Sequence, residues 1–459
     1  MTEPLAQPLT QGVSAADIAA GQHAYELDRK HVFHSWQAQG PFAPMAILKA
    51  EGSWVWDGEG NALIDLSSQL VNTNIGHQHP KVIAAIQEQA GKLATIAPQH
   101  VNDARSEAAR LIAKHTPGQL DKIFFTNGGA DAVEHAVRMA RLHTGKHKVL
   151  SAYRSYHGGT HLAVNLTGDP RRFASDHGTD GVVRFFPAYP YRSYFNSSTP
   201  EEETARALKH LEDTILLEGP GTIAAIILES IPGTAGIYLP PPGYLQGVRE
   251  LTKKHGIVYI ADEVMAGFGR SGQWFAVDHA AVVPDLLTFA KGVNSGYVPL
   301  GGVAISPEIF ETFRERVYPG GLTYSGHPLA CAAAVATITA MEDEAMVENA
   351  QRLGEEIIGP RLAQFAAEHP SVGEVRGTGV FWAIELVKNR ETREPLAAYG
   401  GSSPEMNQVV AAAKAAGLLP FANFNRLHVV PAMNIEDEVL IQALDRLEQA
   451  LAVADTFVQ

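Results

Sequence analysis

Cysteine is nearly absent from this sequence. Cys331 is the only one in 459 residues, so no disulfide can form within the chain. Nothing indicates an oxidising compartment, and a cytoplasmic protein is expected. Long apolar runs are absent too, because no stretch approaches the roughly 20 residues that a helix needs to cross a bilayer. The sequence therefore predicts neither a membrane span nor a signal peptide.

Positive charge is scarce as well. Lys and Arg number 36 against 50 Asp and Glu, which gives a formal net charge of -14. This balance argues against a broad surface that follows the phosphates of a nucleic acid, so any bound anion should be held by a local site. Apolar residues make up 45% of the sequence, enough for a sizeable core. The length predicts a large domain with a smaller one attached.

The spacing of apolar residues divides the chain into three parts. Residues 1–74 are expected to form an N-terminal segment of one helix and one hairpin that packs with the small domain. Residues 75–340 alternate short apolar runs with helical stretches, which predicts a large α/β domain whose mostly parallel sheet is covered by helices on both faces. Residues 341–459 are expected to form the smaller α+β domain.

The individual elements follow from the same spacing. The N-terminal helix is expected over 14–36, with Ser14 as its cap, and the hairpin over 50–66. The strands predicted for the large domain are 122–126, 148–152, 224–228, 257–261, 286–289 and 301–305. Those predicted for the small domain are 379–385 and 426–430, with a helix over 404–416 between them.

Two predicted strands end in residues that carry chemistry. The strand at 257–261 runs directly into Asp262, and the strand at 286–289 runs through Ala290 into Lys291. Ligands of open α/β sheets bind at the carboxyl ends of the strands, so the carboxylate and the amine are expected in one site. Desolvation there lowers the pKa of a lysine amine and makes it nucleophilic towards an aldehyde. A solvated charge at a strand end is the ordinary alternative for either residue alone.

A loop of small residues is a candidate anion site. Gly128, Gly129 and Ala130 follow the strand at 122–126 and precede a helix expected to begin near Val133. Small residues let backbone N–H groups approach an anion at the N-terminus of a helix, where the macrodipole also favours negative charge. By itself, the motif is equally consistent with a tight turn between a strand and a helix.

An aromatic residue follows the next predicted strand. Tyr156 and His157 precede Gly158 and Gly159, and a tyrosine beside flexible glycines can lie flat on a planar ligand. A tyrosine alone is more often a packing residue. Four such segments follow one another, with an anion loop, an aromatic ring, a carboxylate and a lysine. A purely structural role explains this combination less easily than it explains each segment alone.

These segments resemble the class III (ω-amino) aminotransferases, which are pyridoxal 5'-phosphate (PLP) enzymes of fold type I. The similarity runs from Trp54 to Pro431. It implies an enzyme that moves an amino group from an amine or ω-amino acid, with aminosulfonates as further candidates, to a keto acid such as pyruvate or 2-oxoglutarate. The motifs that carry it are TNGGADA at 126–132, YHG at 156–158, ADEVMAGFGRSG at 261–272, TFAKG at 288–292 and TYSGHP at 323–328.

The resemblance also implies roles for individual residues. Lys291 is the lysine that forms the Schiff base with PLP and shuttles a proton in a ping-pong mechanism, while Asp262 keeps the pyridine nitrogen protonated. Thr323 reaches the phosphate of the neighbouring subunit, so a homodimer or a dimer of dimers with shared active sites is implied. The other expected cofactor contacts are Gly128, Gly129, Ala130, Tyr156 on one face of the ring, Val264 on the other, His157 and Glu229.

The sequence departs from the family pattern near the cofactor. Gly128 and Ala130 stand where serines often flank the glycine of the phosphate loop, so backbone amides and Thr323 must contribute more of the contact. A glutamine often follows Glu229 at the third position, but Pro232 stands here. Any role of that glutamine beside the ring hydroxyl is therefore absent.

The residue that binds the substrate carboxylate is open. Family members often use an arginine shortly before the C-terminal proline, and His428 occupies that position, with Arg426 two residues earlier. Residues two apart in a strand share a face, so both side chains are expected to point into the cleft. Because arginine binds a planar carboxylate through two contacts, Arg426 is our first hypothesis. His428, Arg154 and Arg171 are the alternatives, and a surface charge is the ordinary explanation of Arg426.

Other functions are compatible with single motifs. The run from Gly267 to Gly272 matches G-x-G-x-x-G and suggests a nicotinamide dehydrogenase, but five residues separate it from the strand. His157 and His161 lack a third ligand for zinc, and no metal is expected. The main alternatives are a PLP-dependent aminomutase, racemase or decarboxylase. A non-catalytic binding protein is a distant one.

Overall fold

The protein is described here by a computed structural model that covers residues 12–175 and 181–459. The described residues form three sheets with helices around them. The strands are β1 Ile47–Glu51, β2 Trp54–Asp57, β3 Ala62–Asp65, β4 Lys122–Thr126, β5 Lys148–Ala152, β6 Val182–Phe185, β7 Ile223–Glu229, β8 Val258–Asp262, β9 Leu286–Phe289, β10 Gly301–Ile305, β11 Val372–Thr378, β12 Phe381–Asn389, β13 Glu394–Pro395, β14 Leu418–Leu419, β15 Phe421–Asn423 and β16 Arg426–Val429.

The helices follow the strands in alternation through the middle of the chain. In chain order they are α1 Ala15–His31, α2 Ser68–Val71, α3 Pro80–Lys92, α4 Asp103–His115, α5 Gly129–Thr144, α6 His161–Leu166, α7 Pro200–Glu218, α8 Tyr244–His255, α9 Pro307–Thr312, α10 Pro328–Asp343, α11 Met346–Leu353, α12 Gly359–Glu368, α13 Pro404–Ala415 and α14 Asp437–Asp455. Within the two described ranges, no helix is both long enough and apolar enough to span a bilayer.

The central sheet has seven strands in the order β4-β10-β9-β8-β7-β5-β6. The strands from β9 to β6 pair in parallel, and β10 pairs antiparallel with both β4 and β9. Alternate residues of β7 pack on opposite faces: Ile226 and Leu228 on one, Ala225 and Ile227 on the other. Burial on both faces explains why these strands are continuous apolar runs. The predicted mostly parallel sheet covered on both faces is confirmed.

The two smaller sheets connect distant parts of the chain. One has the order β1-β2-β3-β14, in which Ile64 of β3 pairs in parallel with Leu418 near the C-terminus. The other is built from β11, β12, β16 and β15, with β13 beside β12. The N-terminal hairpin thus shares a sheet with the C-terminal part. The predicted domain boundaries at 74/75 and 340/341 remain predictions.

Several predicted elements need correction. The first helix begins at Ala15 with the expected capping box between Ser14 and Asp17, but it ends at His31, because the β-branched Val32 is extended. The helix expected near Val133 begins four residues earlier, at Gly129. The sequence does not predict strands β1, β6, β11, β13, β14 and β15. The expectation of no signal peptide concerns residues 1–11 in part, which lie outside the described residues.

Candidate active site

A cavity of about 420 Å³ lies at the carboxyl ends of β7, β8 and β9. It is the position at which ligands bind to open α/β sheets. Most of the predicted site residues meet there, although they come from distant parts of the sequence. Those that line it are Gly128, Gly129, Ala130, Tyr156, His157, Glu229, Asp262, Val264 and Lys291.

Lys291 follows β9, whose four residues are all buried. Its φ of 42° lies in the left-handed region, which is unusual for a residue other than glycine and is found at functional sites. Burial lowers the pKa of the Lys291 amine to about 8, and the nearby charges of Glu229 and Asp262 oppose this shift only in part. About a tenth of the amine is therefore uncharged at pH 7, far more than for an ordinary lysine, and can act as a nucleophile.

Three donors fix the carboxylate of Asp262. His157 Nδ1 lies 2.6 Å from its Oδ2, and we assign this nitrogen as the donor because a carboxylate can only accept. Thr288 Oγ1 and the backbone N–H of Val264 donate to Oδ1 at 3.0 and 3.2 Å. Burial lowers the pKa of His157, but the hydrogen bond and charge of Asp262 outweigh it and raise that pKa above its ordinary value. The carboxylate thus has a single orientation at the cavity wall.

Glu229 is a second carboxylate of the cavity, and it is 7% exposed. Its two oxygens accept the backbone N–H groups of Tyr156 at 2.9 Å and Gly233 at 3.0 Å. Burial raises the pKa of Glu229 to about 7; the charge of His157 opposes this shift and that of Asp262 adds to it. The geometry joins the loop after β5 to the loop after β7, so that Glu229 holds Tyr156 in place.

The anion loop lies where β4 meets α5. Gly128 is the N-cap residue and α5 begins at Gly129. A Cβ atom at Gly129 would lie 2.7 Å from Val264 Cγ1, and one at Gly158 would lie 2.5 Å from Ala130 Cβ. Larger residues would close this end of the cavity, and the free N–H groups of a 16-residue helix point towards it.

An arginine lies on Tyr156, a contact that the sequence did not indicate. The guanidinium carbon of Arg171 is 3.5 Å from the centre of the Tyr156 ring. Asp169, which is buried, accepts a hydrogen bond from Arg171 Nε at 2.9 Å. A stacked guanidinium stabilises the orientation of an aromatic ring and adds a cation close to the cavity. The sequence suggests Arg171 only as an alternative for binding the substrate acid.

Arg426 and His428 do not line the cavity, contrary to the expectation that both side chains point into the cleft. Both are 2% exposed in β16. The loop that carries Thr234 lies in between: Thr234 lines the cavity, and its carbonyl oxygen accepts a hydrogen bond from Arg426 Nη2 at 3.4 Å. Within the described residues, neither ring nitrogen of His428 has a partner, and burial together with Arg426 and Arg376 holds its pKa well below the ordinary value.

Thr323 also lies outside the cavity of its own chain. Its side chain is exposed, in the loop between α9 and α10. Ser325, two residues later, donates a hydrogen bond to the carbonyl of Phe125 at 2.8 Å, so the loop is attached to β4 beside the anion loop. In the described part of the chain, no cluster of three or more His, Cys, Asp or Glu could hold a metal ion.

The chain matches the family model of the class-III aminotransferases over residues 36–451. It therefore belongs to the class III aminotransferases, and it is a PLP-dependent enzyme of fold type I. The residues present suit this cofactor, because an amine of lowered pKa, a carboxylate fixed by three donors and a helix N-terminus surround one cavity.

Relatives with known names support the same assignment. The solved structure of a taurine:2-oxoglutarate aminotransferase from Bifidobacterium kashiwanohense, in complex with PLP and glutamate, is 40% identical, with a TM-score of 0.91 over 95% of this chain and 98% of that chain. The 5-aminovalerate aminotransferase of Pseudomonas aeruginosa is 38% identical over 362 residues, 78% of this chain and 82% of the relative. The 4-aminobutyrate aminotransferase of Escherichia coli is 33% identical over 418 residues, 89% of this chain and 94% of the relative.

Proposed function

We propose that this aminotransferase moves an amino group from an amine or ω-amino acid, including aminosulfonates, to a keto acid such as pyruvate or 2-oxoglutarate. The observation that carries the proposal is the meeting of Lys291 and Asp262 at the ends of neighbouring strands in one cavity. The relatives named for taurine, 5-aminovalerate and 4-aminobutyrate support the ω-amino donor class.

We assign the chemical roles as follows. Bound PLP supplies the aldehyde that carries the amino group and an electron sink for the Cα–H bond. Lys291 is the attachment point, and its released amine moves the proton as general base and acid. Asp262 holds the proton of the pyridine nitrogen, and His157 and Thr288 position Asp262. Gly128, Gly129 and Ala130 offer the N-terminus of α5 to the phosphate, while Tyr156 and Val264 enclose the ring.

The proposal that the substrate carries an acidic group is supported by two arginines outside the cavity lining. Among the described residues, neither Arg426 nor Arg154 has a carboxylate within 4 Å. The charge of Arg154 contributes to lowering the pKa of Arg426, whose shift to about 10 is caused first by burial. Arg426 is buried, and a buried cation without a carboxylate in contact is costly, so an incoming carboxylate or sulfonate would offset that cost. We keep Arg426 as the first candidate, with His428, Arg154 and Arg171 as alternatives.

We also propose a homodimer or a dimer of dimers in which Thr323 completes the phosphate site of the neighbouring subunit. Its exposed position outside its own cavity supports this arrangement. Dilution of the enzyme to monomers should then release PLP together with activity, measured by cofactor absorbance after gel filtration. A monomer that keeps its cofactor and full rate would contradict the proposal. The cytoplasmic location remains a prediction.

A half-reaction screen tests the proposed donor class. The holoenzyme is mixed with one donor at a time without a keto acid, and loss of the cofactor's visible absorbance is followed. Aminosulfonates, ω-amino acids, simple amines and α-amino acids form the panel. We expect bleaching by ω-amino donors and recovery of the absorbance when pyruvate or 2-oxoglutarate is added. Product formed without any amino acceptor would instead indicate an aminomutase, racemase or decarboxylase.

A further inference from the structure

Arg270 is a fully buried arginine outside the cavity, in the loop that follows β8. Its Nη2 donates to Asn74 Oδ1 at 2.8 Å. Its Nη1 donates to the carbonyl oxygen of Pro431 and, at 3.5 Å, to that of Val430. One guanidinium therefore joins three distant parts of the chain, namely the N-terminal segment, the loop after β8 and the segment after β16.

No carboxylate neutralises this cation. Within the described residues, Arg270 has no acidic group within 4 Å, and the charge of Asp65 acts on it only from farther away. Asp65 is already engaged, because it lies 2.9 Å from His77 Nε2 and accepts a hydrogen bond from Gln69 at 2.9 Å. Burial lowers the pKa of Arg270 to about 9, so the guanidinium remains charged at neutral pH.

Asn74 connects Arg270 to the lysine of the active site. Asn74 Nδ2 donates to the carbonyl oxygen of Phe268 at 2.8 Å. The same nitrogen would lie 2.4 Å from a Cβ atom at Gly292, so the Asn74 amide packs closely against the residue that follows Lys291. Asn74 is thus held by Arg270 on one side and supports the main chain of Lys291, with its unusual positive φ, on the other.

We infer that Arg270 is a positioning residue that acts on Lys291 in two ways, as a support of its main chain through Asn74 and as a fixed cation that favours its uncharged, nucleophilic amine. The inference rests on the proposed role of Lys291 as the attachment point of the cofactor. Arg270 is charged at neutral pH, and a positive charge near the reacting amine disfavours a second one there.

Other charged groups that face Lys291 also affect the protonation of its amine. Glu229 at the end of β7 and Asp262 at the end of β8 favour the protonated amine. Arg171, on Tyr156, acts in the same direction as Arg270, and burial acts more strongly than any of these charges. His157 lies behind Asp262, at 2.6 Å from its carboxylate. Arg270 is thus one of two cations that offset two carboxylates.

The test compares neutral and charged replacements in the holoenzyme. Arg270→Met and Arg270→Gln remove the charge, while Arg270→Lys keeps it and loses the planar fork. We expect the pH midpoint of the cofactor absorbance, and the acid limb of the amine half-reaction, to move upward by roughly one pH unit in both neutral variants. A shift of one pH unit corresponds to about 1.4 kcal/mol of charge interaction. Arg270→Lys should leave both within about 0.3 unit of the parent while lowering the melting temperature of the apoenzyme.

Arg249→Met is the matched control for a structural defect. Arg249 is a half-buried arginine that makes two hydrogen bonds of 2.7 Å to Asp285 at the opposite, amino edge of the same sheet. The Arg249→Met variant should be less stable than the parent. The pH midpoint of its cofactor absorbance and the acid limb of its amine half-reaction should stay unchanged. Neutral Arg270 variants that fold but keep the parent midpoints would overturn the inference, and if Met does not fold, the Gln variant decides. Lys291→Ala is the reference, because normal turnover of that variant would reject the proposed role of Lys291 instead.

Discussion

Two buried groups of charges in this molecule each combine carboxylates with cationic side chains, but with opposite results. The first, which we call the cavity group, comprises Lys291, Asp262, Glu229 and His157. The second, the sheet group, lies on the C-terminal sheet and comprises Glu385, Arg376, Arg192 and Glu374. Both are largely shielded from water. They differ in whether each charge has a partner of opposite sign in direct contact.

The sheet group is paired. Glu385 accepts Arg192 Nε at 2.6 Å and lies 2.9 Å from Arg376 Nη2, and the Tyr189 hydroxyl donates to it at 2.8 Å. Burial alone would raise the pKa of Glu385, but the two arginines outweigh it and lower that pKa to about 2. Its charge is fixed across the whole physiological range, which suits a structural role.

The cavity group is only partly paired. Asp262 has His157, but Lys291 and Glu229 do not form an ion pair within 4 Å. Burial therefore moves their pKa values towards each other, to about 8 for Lys291 and about 7 for Glu229. Groups that titrate near neutral pH can take up and release protons during a reaction. Pairing with two arginines therefore fixes the charge of Glu385, whereas Lys291 and Glu229, which lack such a partner, are available for proton exchange.

The largest expected effect comes from removing the amine of the cavity group. Lys291→Ala should lower the overall transamination rate by at least about 10²- to 10⁴-fold, because it deletes both the attachment point and the proton carrier. Steady-state turnover with a saturating donor measures it. Lys148→Ala, at the opposite edge of the sheet, is the control and should keep its activity. Normal turnover of Lys291→Ala would reject the assignment.

Breaking the sheet group should cost stability. Glu385→Gln leaves Arg192 without a carboxylate, and removal of one partner from a buried ion pair costs about 3 to 5 kcal/mol. The free energy of unfolding in denaturant measures the loss. Glu202→Gln breaks the exposed pair with Arg206 and should change little. If Glu385→Gln is as stable as the parent, direct pairing is not what distinguishes the two groups.

Glu263 sharpens the comparison. It is a fully buried carboxylate beside the cavity group that accepts two backbone N–H groups, and among the residues that the structure describes no cation lies within 4 Å of it. Burial raises the pKa of Glu263 to about 7. A carboxyl group whose pKa is higher in the folded state loses stabilisation as the pH rises from the unfolded value through the folded one. The window here runs from about pH 4.5 to about pH 7.

Glu263→Gln should abolish that contribution. The stability of the parent relative to the variant should fall by up to about 3 kcal/mol between about pH 5 and about pH 7.5. Unfolding free energies of both proteins at the two pH values measure the difference, and the contributions of Glu229 and His157 are common to both. Equal pH dependence in the two proteins would show that the Glu263 carboxyl titrates normally.

The local part of this architecture is readable in the sequence. Strands β4, β5, β9 and β10 coincide with predicted apolar runs. Strands β9 and β10 are buried along their whole length, so few polar residues interrupt them. Asp262 and Lys291 stand out for the same reason, as charges directly after such runs. Gly128 to Ala130 were found because a helix N-terminus near an anion requires small residues.

The rest of the fold and of the candidate site depends on contacts between residues that are distant in the sequence. Strand β6 is an edge strand that is only partly buried and contains Arg184, so its apolar pattern is weak. The contact of Arg171 with Tyr156 and that of Arg270 with Asn74 join loops whose relative position no local pattern encodes. The same holds for Thr234, which separates Arg426 from the cavity although the alternation along β16 was interpreted correctly as local geometry.

Arg426 is intermediate between the cavity group and the sheet group. Its substitution is expected to have the smallest effect of those described. It is 2% exposed and feels the charge of Glu385, yet among the described residues it has no carboxylate within 4 Å. If it meets the substrate acid after a small movement of the Thr234 loop, Arg426→Ala removes one charge-assisted contact, which costs roughly 1.5 to 3 kcal/mol. The keto-acid half-reaction should then weaken by about 10- to 150-fold.

The half-reaction with an uncharged amine is the control within the same variant, because that donor carries no acid for Arg426 to bind. It should change less than about 3-fold. Arg426→Lys should recover part of the keto-acid rate, since a charge remains but the planar fork is lost. Equal losses in both half-reactions would indicate that Arg426 belongs with the sheet group as a structural cation. No loss in either would transfer acid recognition to His428, Arg154 or Arg171.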